Sequence, residues 1–206
     1  GGDYKKLKYV AEIDNFMGGE RSKNKKLNQS RILFAFPAIS YKSSSKYVVP
    51  IIVPLLERRI KDELRNANFF HSEKIYNEQF ANNGKITIEC IVDFENVNVY
   101  MDEVVKCIKN MNAIGIGENE FEIEKNAFII NFLKDNERSV DLCVNAAREV
   151  AIAKQSYSLA SELMKVELTT YSDANDIFRD IFDFTKLYIA YLGNSTDINS
   201  AKYIDI

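Results

Sequence analysis

A chain of 206 residues can only do the chemistry its reactive side chains allow, and this one holds a single histidine, His71. A catalytic zinc takes about three protein ligands, commonly including two histidines. The helix motif His-Glu-x-x-His and its inverse His-x-x-Glu-His are both absent. A Ser-His-Asp or Cys-His centre would have to be built on His71. That residue stands in Phe69-Phe70-His71-Ser72, at the start of a strand-like run, and the chain has no nucleophile elbow. His71 is therefore read as a strand-surface or hydrogen-bonded structural histidine. Cys90, Cys107 and Cys143 are far apart, odd in number and set among apolar residues. This argues against a disulfide framework or a Cys-rich metal site and predicts three thiols packed in the core. Gly115-Ile116-Gly117 has the look of a phosphate loop, but it follows a helical segment and lacks the third glycine. Glu118 and Glu120 come next and would repel phosphate, so the glycines are read as a helix-to-helix turn. Pairs such as Glu57 with Lys61 and Asp176 with Asp180 have helical spacing, which places them on solvated faces. No catalytic residue and no metal ligand are assigned to this chain.

The composition sets the scale of what must position these residues. Hydrophobic residues make up 46% and charged residues 28%, a globular balance with enough apolar mass for a sizeable core. A formal net charge of -3 gives no reason to expect a nucleic-acid partner. No apolar run is long enough for a transmembrane helix, so no membrane partner is expected. The opening Gly1-Gly2-Asp3 reads as a cloning scar. Free thiols point to a cytoplasmic or similarly reducing compartment.

Along the chain, residues 6–13 have strand character, and residues 15–30 are polar and basic enough to read as a solvated linker. Residues 31–38 are a short apolar run ended by Pro37, a buried strand. A serine-rich loop then leads into a helix reaching about Arg65, in which Pro50 and Pro54 predict a late start or a kink. Residues 69–80 and 85–93 flank Asn83-Gly84, a hairpin signal resting on two residues that tolerate positive φ. In the second strand Ile86, Ile88, Cys90 and Val92 alternate with Lys85, Thr87, Glu89 and Asp93, one face buried and one polar. Helices follow over 97–111, 118–134 (Phe121, Phe128 and Phe132 inward), 139–153, 157–167 and 173–184, then a last strand over 186–192 ended by Gly193. The order predicts an α+β fold, a largely antiparallel sheet with helices packed on one face. The expected organisation is an N-terminal strand and polar linker over 1–30, one α+β domain over 28–193 and a tail over 194–206.

The order of several short segments adds a resemblance. Residues 30–37 (SRILFAFP), Arg59-Ile60-Lys61-Asp62-Glu63-Leu64-Arg65, residues 115–125 (GIGENEFEIEK) and Thr170-Tyr171-Ser172-Asp173 before the strand ending at Gly193 stand in sequence. Together this series resembles the C-terminal-type, non-catalytic domain of pitrilysin/insulinase-family zinc metallopeptidases, which include the mitochondrial processing peptidases. The resemblance implies a non-catalytic half that closes a substrate chamber and helps hold an unfolded peptide for a zinc-bearing half-domain or subunit. The zinc would sit in that partner, with no cofactor in this chain. It also implies a substrate-binding arginine followed seven residues later by a tyrosine. Arg65 matches the arginine, but Ser72 stands at the tyrosine position and Phe69 replaces the family's glycine. The alternative is a structural or assembly module of the same fold with no role in proteolysis.

Overall fold

The two long strands owe their pairing to alternation. Gln29–Ala38 (β2) and Gly84–Asp93 (β4) each place every second side chain on an apolar face. They pair antiparallel along their whole length, Gln29 opposite Asp93 and Ala38 opposite Gly84. In the computed structural model, which describes residues 17–66, 72–194 and 202–203, three further strands complete the sheet. Ser72–Gln79 (β3) runs antiparallel to β4 on one edge, and Tyr188–Gly193 (β5) runs antiparallel to β2. Gly19–Asn24 (β1) lies parallel to β5 on the other edge, giving the order β1-β5-β2-β4-β3.

Strand β1 falls where the sequence reads as a solvated linker. Its side chains from Glu20 to Asn24 are exposed, so no apolar pattern marks it. Backbone pairing with β5 holds it, with Gly19 opposite Tyr188 and Asn24 opposite Gly193. The strand expected over 6–13 lies outside the described residues.

Helices cover one face of the sheet. Ile32, Phe34 and Phe36 of β2 and Ile86, Ile88, Cys90 and Val92 of β4 are all buried beneath them. The first helix, Val48–Asn66 (α1), begins at Val48 and runs through Pro54. An internal proline costs a helix about 3 kcal/mol. Complete burial of Val49, Ile51, Ile52, Leu55, Leu56 and Ile60 offsets that cost, at roughly 1.5–3 kcal/mol for each large side chain. Val97–Ile114 (α2) follows with Tyr100, Met101, Val104 and Ile108 inward, and Gly115 ends it with a φ of 86° that favours glycine. Glu118–Asp135 (α3) packs on α1, with Phe121 fully buried and Phe128 and Phe132 partly so.

Ser139–Arg148 (α4) is shorter than the predicted helix, because Glu149–Ala153 continues it as a π-helical turn. Leu159–Glu167 (α5) and Tyr171–Ile181 (α6) complete the set, and α6 returns to the core through Ala174, Phe178 and Ile181. Two residues of the expected tail dock back on α2. Tyr203 is buried and donates to Asp102 at 2.7 Å, with Lys202 paired to the same carboxylate.

The hairpin is present, but its turn chemistry differs from expectation. Neither Asn83 nor Gly84 has positive φ. Glycine is needed at 84 for close approach, since a Cβ there would lie 2.4 Å from the Ile39 carbonyl oxygen. Among the described residues, no helix is long and apolar enough to cross a membrane.

Candidate functional site

The uncovered face of the sheet is the surface the fold leaves open, and register decides what it displays. Lys74, Glu89, Leu33, Ala190 and Arg21 form one row across the five strands. The next row is Tyr76, Thr87, Ala35, Tyr188 and Gly19. Lys85, Glu89 and Asp93 face outward as alternation predicts. Thr87 does so too but is only 2% exposed, because it and Ala35 are small residues set between Tyr76 and Tyr188 in their row.

Glu89 is the centre of this face. It accepts a hydrogen bond from the Tyr76 hydroxyl at 2.9 Å and pairs with the Arg31 guanidinium at 2.9 Å. Neither residue is its direct register partner, which are Leu33 and Lys74, so both contacts are diagonal. Partial burial, the Glu89 hydrogen bond and the Glu89 charge together push the Tyr76 hydroxyl above its ordinary pKa. It remains a neutral donor at physiological pH. Lys85 and Glu78 form a second cross-strand pair at 2.8 Å. The face thus mixes polar and small apolar side chains, and part of its charge is paired across strands, Glu89 with Arg31 and Glu78 with Lys85.

Arg65, the predicted substrate residue, lies in the last turn of α1. Its side chain is 71% exposed, and its one ion pair among the described residues is a long contact to Asp62 at 3.7 Å. Ser72, at the expected tyrosine position, opens β3 opposite Ile91. Phe69 and His71 lie outside the described residues. The Arg31–Glu89–Tyr76 cluster was not assembled from the sequence. Alternation puts all three on one face, but only the strand register brings them together.

The segments that carry the family resemblance have structural work in common. Arg59 donates to both carboxylate oxygens of Glu120, at 3.0 and 2.7 Å, and Arg58 pairs with Glu124. That Arg59 contact is the main cause holding the Glu120 carboxyl below its usual range. Lys125 donates to the carbonyls of Glu167 and Thr169 at 2.8 and 2.9 Å, where α5 ends and needs donors. Thr170 and Asp173 form a reciprocal capping box at the start of α6. Asn175 accepts from the Ile116 amide at 2.6 Å and so holds the turn at Gly115.

Burial raises the Cys90 and Cys107 thiols to about 12, which keeps them protonated and unreactive near neutrality. Cys143 corrects the expectation of three core thiols: it is exposed on α4, a helix with no buried residue. Among the described residues, no three His, Cys, Asp or Glu side chains converge as a metal site.

No protein-family model matches the sequence, and no curated protein matches it. Solved structures do. A chain of complex III from Candida albicans, determined with Inz-5 bound, superposes with a TM-score of 0.76 at 16% identity, over 92% of this chain and 49% of that one. The periplasmic protease PqqL of Escherichia coli gives 0.71 at 8% identity, over 87% and 21%. A peptidase M16 inactive domain from Pseudomonas fluorescens gives 0.73 at 13% identity, over 87% and 44%. The present chain thus spans about half or less of each of these chains. With its open five-stranded sheet and one-sided helical layer, it has the fold of the M16 peptidase inactive domain.

Proposed function

We propose that this chain is the non-catalytic half of a pitrilysin/insulinase-type zinc peptidase, closing the substrate chamber and helping to hold an unfolded peptide for a zinc-bearing half. The observation that carries this reading is the fold shared with an M16 inactive domain over 87% of the chain. Its residues do not suit a catalytic zinc, since the sequence has one histidine and the described residues hold no ligand cluster. In this reading the metal and the cutting chemistry belong to the partner half. The open sheet face supports a holding role: its paired charges and two tyrosines offer contacts of no single sign, which suits varied peptides. Arg65, exposed and weakly paired, is the residue proposed to meet a peptide carbonyl. Buried reduced thiols fit assembly in the cytoplasm.

Reconstitution tests the proposal. The purified chain alone should hydrolyse no unfolded peptide and retain no tightly held zinc after dialysis. Adding a zinc-bearing half should restore turnover above the level of that half by itself. One zinc per isolated chain together with hydrolysis would overturn the reading.

A second reading, a structural or assembly module of the same fold, is favoured by Ser72 at the position of the expected tyrosine. The match to a complex III chain is consistent with it. Reconstituted turnover that is indifferent to this chain would select it.

A further inference from the structure

Away from the open sheet face, a pocket of about 220 Å³ lies where the loop between β2 and α1 meets α3 and α4. It is smaller than the roughly 300–1,000 Å³ of pockets for drug-sized ligands. One wall is aromatic. Tyr47 meets Phe132 edge-on with ring centroids 5.8 Å apart, and Phe128 stacks on Phe132 at 5.9 Å.

Its floor is built from buried charge. Lys46 is 6% exposed and pairs with Glu149 at 2.9 Å and with Glu162 at 3.0 Å, each carboxylate 2% exposed. Its ammonium also lies 4.5 Å from the Tyr41 ring centroid and 5.1 Å from that of Tyr47. Tyr41 donates to Glu149 at 2.9 Å and Tyr47 to Glu162 at 2.5 Å. Burial pushes Glu162 up, but hydrogen bonds from Lys165, Tyr47 and Lys46 outweigh it and hold the carboxyl below its usual range. Asn136, 6% exposed, accepts from Tyr157 at 2.6 Å and from Asn145 at 3.1 Å.

Glu149 reaches the interior from the π-helical turn at Glu149–Ala153. That turn ends at Lys154, the one non-glycine residue of positive φ among those described. Such turns are uncommon and concentrate at functional sites.

With the floor satisfied internally, the unspent groups are at the mouth. Arg148 and Asp135 both line the pocket and are exposed, and their side chains make no hydrogen bond or ion pair with each other or with any other described residue. Asp135 is the last residue of α3, where the helix dipole also favours a cation. Lys46, Lys165 and Arg148 balance Glu149, Glu162 and Asp135, so the site as a whole is neutral. It is ill-suited to a phosphate or a bare metal cation. It is suited to a small neutral molecule that carries one charge of each sign and an apolar body.

We propose that this pocket binds a free hydrophobic α-amino acid. Its carboxylate would be held by Arg148, its ammonium by Asp135 and the end of α3, and its side chain by Tyr47, Phe128 and Phe132. The proposal is independent of any partner half.

Calorimetric titration of the chain with L-phenylalanine is the test, with N-acetyl-L-phenylalanine and L-phenylalaninamide as probes lacking one charge each. Saturable binding of L-phenylalanine is expected. It should weaken about tenfold or more for each analogue and for Arg148→Ala or Asp135→Asn, the loss that follows from removing one charged hydrogen bond. Both substitutions lie at the surface, and an unchanged unfolding midpoint verifies that the variants are folded. No saturable heat with L-phenylalanine, or equal affinity in the variants, would overturn the proposal. Equal affinity for the N-acetyl compound would overturn the assignment to a zwitterion.

Discussion

Arg59 grips Glu120 through two parallel hydrogen bonds, Nε to Oε1 at 3.0 Å and a terminal nitrogen to Oε2 at 2.7 Å, joining α1 to the first turn of α3 across 61 residues of sequence. Because Arg59 holds the Glu120 carboxyl below its ordinary value of 4.5, the pair stabilises the fold while pH lies above that value. The contribution fades as pH falls through the lower, folded-state pKa. Glu120→Gln should therefore lose about 1 kcal/mol at neutral pH, a figure moderated by the partial exposure of both side chains. Urea unfolding at a series of pH values checks this. The gap between wild type and variant should close in acid, and a gap constant with pH would show that the effect is packing rather than charge.

The capping box at α6 makes a second, independent prediction. Thr170 accepts from the Asp173 amide at 3.2 Å, and Asp173 accepts from the Thr170 amide at 3.0 Å. Thr170→Ala should destabilise the chain by about 1 kcal/mol, and Thr170→Ser should recover most of the loss. Thermal unfolding of the two variants decides it. Equal midpoints for Ala and Ser would mean that the hydroxyl is not capping.

At the hairpin the two turn residues should respond unequally. A Cβ at position 84 would lie 2.4 Å from the Ile39 carbonyl oxygen, so Gly84→Ala should cost roughly 1–3 kcal/mol. Asn83 has no positive φ, and Asn83→Ala should cost no more than about 0.5 kcal/mol. A turn requiring positive φ at both positions would instead make both substitutions costly. Denaturant midpoints for the pair separate the two cases.

Arg65→Ala should leave stability within about 0.5 kcal/mol of wild type, since the side chain is exposed and its contact to Asp62 is long. In a reconstituted enzyme the same change should lower peptide turnover. Equal rates with mutant and wild-type chain would leave Arg65 as a solvated helix-end residue and favour the assembly-module reading.

Much of this architecture was legible in the sequence because it rests on local periodicity. The alternation from Ile86 to Val92 and the helical stripe from Val97 to Met111 each report burial on one face, and each is buried as that pattern requires. The α+β class and the one-sided helical layer follow from such patterns. What remained hidden depends on contacts between distant residues. Strand β1 has no apolar alternation, since backbone pairing with a strand some 170 residues away holds it. Thr87 looks like an exposed polar residue until the register sets it between tyrosines. Cys143 looks like a core residue by its neighbours, yet α4 packs too few of its side chains to bury it. The Arg31–Glu89–Tyr76 cluster is diagonal across three strands, and the pocket floor joins Lys46 to Glu149 and Glu162 more than 100 residues on. Periodicity tells a residue which way to face; only the tertiary structure decides what it meets there, because register and helix packing are set by the whole core at once.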